Sequence, residues 1–298
     1  MVSAEPFQSV AVVGPGAIGT TVAAALHEAG RTPLICGRTA RDRLELSTDD
    51  GDVVVPGPVR TDPATLPGPV DLVLLAVKAT QVEAATPWLT ALCHEETVVC
   101  VLQNGVEQEA MVGPLVPGPV LPSVVWFPAQ ARPDGSVWLR AAPRLSVPDV
   151  PAAAIVVRAM LGTRCAIEAA ADFRTLAWQK LLQNAVAGLM ALSGRRGGMF
   201  RRDDVDELAR AYLRECLAVA RAEGADLPDA VAAEIVGRFR SGPPDMGTSI
   251  LADREAGRAL EWSVRNGVIR RLGRARAIPT PVSDVVVPLL AAASEGPG

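Results

Sequence analysis

VAVVGPGAIGTTVAAALHEAGRTPLICGR, residues 10–38, decides how the chain is read. Four apolar residues, Val10 to Val13, run into Gly14-Pro15-Gly16-Ala17-Ile18-Gly19, and a helix-like amphipathic stretch follows to Ala29. A second apolar run, Pro33 to Cys36, stops at Gly37-Arg38. The order predicted is strand, glycine turn, helix, strand. In that context the G-x-G-x-x-G spacing of Gly14, Gly16 and Gly19 acquires meaning. Gly14 permits the tight turn, Gly16 lets a pyrophosphate approach the backbone, and Gly19 lets helix and strand pack closely. A diphosphate would then rest on N–H groups at the helix N-terminus. Residues 14–19 are therefore expected to bind a dinucleotide.

The end of the second strand indicates which dinucleotide. A site for NAD usually places Asp or Glu there, accepting hydrogen bonds from the ribose hydroxyls. Here the residues are Gly37-Arg38-Thr39, with Arg41 beyond and no acid before Asp42. A guanidinium suits a 2′-phosphate through paired N–H donors. Arg38 thus points to NADPH rather than NADH.

Composition narrows the rest. The 298 residues suffice for two domains, and 49% hydrophobic content with a mean hydropathy of +0.24 supplies a sizeable core. Net charge is −4 and the basic residues are scattered, so no nucleic-acid surface is expected. Cys36, Cys93, Cys100, Cys165 and Cys216 form no C-x-x-C pair and read as reduced core thiols of a cytoplasmic protein. No His, Cys or Asp cluster has metal-ligand spacing. The opening MVSAEPFQ lacks the basic and apolar regions of a signal peptide. No apolar run approaches the roughly 20 residues of a membrane helix.

Among 29 basic residues only Lys78 and Lys180 are lysines; the rest are arginines. A guanidinium is a poor proton donor, whereas an ammonium can be tuned to donate. The two lysines are therefore candidates for proton chemistry. His27 and His94 read as solvated surface groups, and Tyr212 lacks a lysine four residues on, so no Tyr-x-x-x-Lys relay exists.

Along the chain, a polar segment is expected to Asp52 and a short strand near Val53 to Val55. Val70 to Val77 reads as a buried parallel strand ending at Lys78, followed by a helix near 81–92. Thr97 to Leu102 is the next strand, ending at Gln103-Asn104-Gly105. The glycine turn, Lys78 and Asn104 thus occupy strand carboxyl ends, where open parallel sheets bind ligands. Short strands near 123–127, 136–139 and 144–147, a helix near 152–161 and a strand near 165–169 close the first domain. From Asp172 the pattern is helical: about 172–192, 204–223, 230–240, a long segment 249–275 and a last helix 284–293. The SEGPG tail is expected to be disordered. The fold class is α/β with an N-terminal parallel-sheet domain, residues 1–168, and a C-terminal all-helical domain, residues 169–298.

A nicotinamide cofactor implies hydride transfer, and reducing a ketone needs a proton donor and groups to hold the substrate. Lys180 fits the donor role, because its ammonium can stabilise and protonate a developing alkoxide. Asn184, one helical turn on, lies on the same face.

These motifs together resemble the ketopantoate reductase family: GPGAIG (14–19), Arg38, AVKATQ around Lys78, QNG (103–105), WQKLLQN (178–184), TSILADREAGRALEWSVRNGVIRRLG (248–273) and IPTP (278–281). The resemblance spans nearly the whole chain in the family's order. It implies a Rossmann-type domain plus a helical domain, with the site in the cleft between them, and NADPH-dependent reduction of 2-dehydropantoate to pantoate in pantothenate biosynthesis. It also implies Lys180 as the proton-donating lysine and Glu261 as its acidic partner. Asn104, Asn184 and Ser249 resemble the groups that hold the keto acid, and Lys78 and Asn104 those beside the nicotinamide. Glu261 makes physical sense there, since a carboxylate near Lys180 would keep it protonated. The sequence leaves open whether a second copy of the chain is a partner.

Two departures stand out. The family often has a second asparagine four residues after the first, but this chain has Gly188, so a hydrogen bond to substrate would be missing and a bulkier substrate could fit. Residues 194–202, GRRGGMFRR, are Arg/Gly-rich where the family usually has another polar contact; they leave open an anion site or a solvated turn, of which the turn is favoured. Ser249 and Glu261 also sit 12 residues apart, about 18 Å on a straight helix, too far for one small substrate unless the helix begins after Ser249 or the substrate bridges the span. The competing readings are a related reductase of another keto substrate in secondary metabolism, a β-hydroxyacid dehydrogenase, and an NADP-binding sensor without turnover. The dehydrogenase family usually has glycines upstream of its lysine, which ADFRTLAWQ lacks.

Overall fold

The apolar runs that lack polar alternation become strands covered on both faces. In the computed structural model, which describes residues 9–295, Val10–Val13 is β1, and α1 (Ala17–Glu28) leads from the glycine turn to β2 (Leu34–Cys36). A hairpin of β3 (Arg43–Thr48) and β4 (Gly51–Pro56) follows. Next come β5 (Leu72–Leu75), α2 (Val82–Leu92), β6 (Val98–Val101), a short α3 (Gln108–Val112) and β7 (Val120–Pro122). These build an all-parallel sheet in the order β2-β1-β5-β6-β7. Every residue of β1, β5 and β6 is buried, as in a strand with both faces covered. From β1 the chain steps to β2 on one side and returns to β5 on the other. Such a reversal opens a crevice at the carboxyl ends of the two central strands.

The β3–β4 hairpin corrects the reading of a polar segment through Asp52. Leu44 and Leu46 alternate with Arg43, Glu45 and Ser47, the period of a half-buried strand. They pair with Val55 and Val53 across a turn closed by Gly51 at φ 123°. The run was too short and too polar in composition to stand out. β8 (Val124–Val125), β9 (Ala129–Ala131), β10 (Val137–Leu139), β11 (Arg144–Pro148), α4 (Ala153–Met160) and β12 (Ala166–Ala170) complete this unit. They contribute to two small sheets, β4-β3-β10-β9 and β12-β11-β8.

The remainder is helical: α5 (Phe173–Ser193), α6 (Asp203–Ala222), α7 (Ala230–Ser241), α8 (Ser249–Glu255), α9 (Val268–Ala275) and α10 (Pro281–Glu295). Trp178, Leu182, Tyr212, Leu213, Ile235 and Ile250 belong to its core. The first turn of α10 is held by the buried Glu215 carboxylate, which accepts from the Val282 N–H at 2.9 Å and the Ser283 N–H at 2.6 Å. A carboxylate at a helix N-terminus satisfies amides that have no partner within the helix. Residues 194–202 correct the reading of a solvated turn: Gly197–Arg201 is a 3₁₀ helix, anchored by Phe200, which is fully buried against Phe239 with ring centroids 4.8 Å apart.

The expected long helix 249–275 is broken. α8 stops at Glu255, and Gly257 adopts φ 62° while the Arg258 N–H bonds back to the Asp253 carbonyl at 2.8 Å. A glycine in the left-handed region ends a helix at little cost. The chain resumes with a π-helical turn, Ser263–Gly267, that leads into α9. Fitting an extra residue into one turn is the usual form of such a bulge. Here Val264, Arg265, Asn266 and Gly267 are all buried in succession.

By internal contacts the chain forms two units. One is the chain up to Gln103 with Glu107–Phe173, and the other is Asn104–Val106 with the chain from Arg174 onward. Asn104 thus follows directly from the β6 segment yet belongs to the helical unit. The readings of MVSAEPFQ and of the last three tail residues lie outside the described residues. Ser294 and Glu295 are the end of α10, where the Ser294 hydroxyl accepts from the Leu260 N–H at 2.9 Å. Among the described residues, no helix is long and apolar enough to cross a membrane, and no group of three or more His, Cys, Asp or Glu residues could hold a metal.

Candidate active site

In the first unit the glycine turn lies where the strand order reverses. Gly14 has φ 96°, and a Cβ there would stand 2.7 Å from the Val77 side chain and 2.8 Å from its backbone nitrogen. The end of β1 therefore packs directly on the segment after β5. A Cβ on Gly19 would fall 2.1 Å from the Gly14 carbonyl oxygen, so helix and turn are in backbone contact. Gly16 differs: nothing lies within 4 Å of the position its Cβ would take. No side chain caps α1 at Gly16, and no acid sits in its first turn. An open cradle at an uncapped helix N-terminus suits a diphosphate.

Arg38 is exposed just beyond β2, and Lys78 is half-buried just beyond β5. The Lys78 N–H bonds to the Gln81 side chain at 3.3 Å. Gln103, buried at the end of the β6 segment, donates to the Val77 carbonyl at 2.8 Å and so ties the two strand ends together. All five cysteines are buried and free. Burial pushes the Cys36, Cys100 and Cys165 thiols up to about 12, which leaves them unreactive.

In the helical unit the expected substrate groups meet. Lys180 and Asn184 lie one turn apart on α5, Lys180 half-buried and Asn184 almost fully so. Asn104 reaches them because Gly105, at φ 113°, lies on Val264; a Cβ there would come within 3.3 Å of the valine. Asn184 Nδ2 donates to Asn104 Oδ1 at 3.1 Å, and Asn104 Nδ2 donates to Glu261 Oε2 at 3.1 Å. Ser249 joins through a residue the sequence reading assigned no role, Arg265. Its Nη1 donates to Ser249 Oγ at 3.2 Å and its Nη2 to Asn184 Oδ1 at 2.8 Å. The break at Gly257 removes the 18 Å objection. With the helix interrupted, Ser249 and Glu261 join one hydrogen-bonded network.

Arg265 is only 3% exposed and its Nε has no partner. Burial lowers the guanidinium from its ordinary value, while the Glu261 and Asp253 carboxylates act in the opposite direction. One signal for it was available: an arginine on an apolar run, four residues past Glu261.

The expectation that Gly188 leaves room for a bulkier substrate is corrected. A Cβ at Gly188 would meet Asn266 Nδ2 at 2.6 Å. Asn266 is fully buried and donates to the Ala185 carbonyl and to the Tyr212 hydroxyl, both at 2.9 Å. The space is occupied by another amide, supplied from a different helix.

The first unit is a Rossmann-type parallel α/β fold, and the second is an all-helical unit bearing a lysine, two amides and a carboxylate. Family models match both: ketopantoate reductase PanE/ApbA over residues 10–152 and ketopantoate reductase PanE/ApbA C terminal over 172–294. The chain belongs to the ketopantoate reductase family. It is 58% identical over 291 residues to a 2-dehydropantoate 2-reductase of Mycobacterium tuberculosis, covering 97% of this chain and 99% of the relative. A 2-dehydropantoate 2-reductase of Caulobacter vibrioides is 38% identical over 288 residues, covering 96% and 99%. Among solved structures, a dimeric ketopantoate reductase from Staphylococcus aureus superposes with a TM-score of 0.87 at 27% identity, covering 97% and 100%.

Proposed function

We propose that this chain is a 2-dehydropantoate 2-reductase that uses NADPH. The observation that carries the reading is the bonded set Asn184–Asn104–Glu261, one turn from Lys180, in a chain of this family. The first unit is the NADP-binding domain and the second the substrate domain. Gly14 to Gly19 cradle the diphosphate, Arg38 pairs with the 2′-phosphate, and Lys78 and Asn104 border the nicotinamide. NADPH, when bound, supplies the hydride.

The residues of the chain do the rest. Asn104, Asn184 and Ser249 hold the keto acid. Lys180 donates the proton that converts the developing alkoxide to a hydroxyl, and Glu261 favours the charged ammonium beforehand. The net change is keto acid, NADPH and a proton to hydroxy acid and NADP⁺. The buried free thiols support a cytoplasmic setting, and the likeness to the dimeric Staphylococcus aureus enzyme supports a homodimer.

Adding 2-dehydropantoate to the purified protein with NADPH should bleach the reduced-nicotinamide absorbance. No bleaching with this keto acid, but turnover on another, would move the substrate assignment. Arg38→Ala should raise KM for NADPH by about 10- to 100-fold, the scale of a lost charge-assisted contact, and leave KM for NADH nearly unchanged. Equal effects on both cofactors would remove Arg38 from phosphate recognition.

A further inference from the structure

Arg265 holds two groups that lie 65 residues apart in sequence, Asn184 and Ser249, and both are assigned to the substrate. Its chemistry constrains everything beyond them. A guanidinium only donates hydrogen bonds, whereas an amide side chain can face either way and a hydroxyl can donate or accept. Nη2 of Arg265 donates to Asn184, so the carbonyl oxygen of that amide must face the arginine. Asn184 then presents its NH₂ to Asn104, whose own oxygen accepts it. Asn104 in turn presents its NH₂ to the Glu261 carboxylate. A donor-only group at one end and a carboxylate at the other leave one orientation for both amides.

The same logic applies to Ser249. Its oxygen accepts from Nη1, so its hydrogen is left to donate elsewhere. Each amide NH₂ carries two hydrogens, and the network uses one. Ser249 is exposed and Asn104 half-buried, so these spare donors are within reach of a ligand. A set of spare N–H and O–H donors matches a ligand group that offers only acceptors. The carboxylate and keto oxygens of a 2-keto acid are such a group; the corresponding amide end, which carries N–H donors, is not.

We propose that Arg265 is a positioning residue for substrate specificity: it orients Asn184, Asn104 and Ser249 as donors and so selects a 2-keto acid over the corresponding neutral keto amide. The inference rests on the reductase reading above and deepens it. A plain structural staple would explain Arg265 less well. Burying a guanidinium is expensive, apolar replacements of buried ion groups are often as stable, and its Nε is left unpartnered.

The test uses steady-state kinetics of the full chain with NADPH, on 2-dehydropantoate and on its amide. If the wild type prefers another 2-keto acid, that acid and its amide replace the pair, so failure of the substrate assignment is read separately. In Arg265→Met, KM for the acid should rise at least tenfold with kcat within a few-fold. Kd for NADPH should stay unchanged, and kcat/KM for the amide should move less than threefold. Arg265→Lys keeps the charge and a donor, so its KM for the acid should fall between wild type and Arg265→Met. Should Arg265→Met fail to fold, Arg265→Lys carries the test alone: a severalfold rise for the acid with the amide unaffected supports the proposal. Loss of acid and amide activity by the same factor, in either variant, would overturn it. So would wild-type KM for the acid in Arg265→Met.

Discussion

Replacing Lys180 with alanine is expected to lower kcat for keto-acid reduction by about 100- to 10,000-fold, the range that a positioned general acid contributes. NADPH affinity, read by fluorescence titration, should remain at the wild-type level. The lysine lies on α5 in the helical unit, whereas the glycine turn belongs to the other unit. Lys180→Arg should recover little of the rate, because a guanidinium keeps the charge but holds its proton too tightly to donate it. If Lys180→Ala turned over at near wild-type rate, Lys180 would have no place in the mechanism.

The second large effect concerns Gly188 and stability. On an open helix face, Gly→Ala gains about 1 kcal/mol from the stiffer backbone. Here the new methyl would stand 2.6 Å from Asn266 Nδ2. Overpacking of that kind costs about 1–3 kcal/mol. Displacing Asn266 also breaks its two hydrogen bonds, to the Ala185 carbonyl and the Tyr212 hydroxyl, at about 0.5–1.5 kcal/mol each. The penalties outweigh the gain, so Gly188→Ala should lose about 1–5 kcal/mol in denaturant unfolding. Gly188→Asn, which restores the residue common in the family, should lose more. Adding Asn266→Ala to Gly188→Ala should cost less than the sum of the single changes, because it clears the clash. A Gly188→Ala protein as stable as wild type would show that the Asn266 side chain yields freely.

Much of this molecule was legible in the chain. The buried parallel strands betrayed themselves as unbroken apolar runs, and the glycine spacing marked the turn between β1 and α1. Lys180 stood out because lysine is so scarce here, and its spacing from Asn184 placed both on one helix face. The β3–β4 hairpin was also written there, as Leu44 and Leu46 alternating before a Gly51 turn, but polar composition masked it.

The sequence by itself determined the β1–α1–β2 unit, the parallel character of the central sheet and the identity of the polar groups, because each depends on neighbours within a few residues. Only tertiary structure decided which polar groups meet. The halt at Gly257 and the π turn after Glu261 bring Ser249, Arg265 and Glu261 into one network, and Asn266 closes the space beside Gly188. Those outcomes depend on packing between segments many residues apart, where one extra residue in a turn changes which side chains face inward. No local periodicity encodes that.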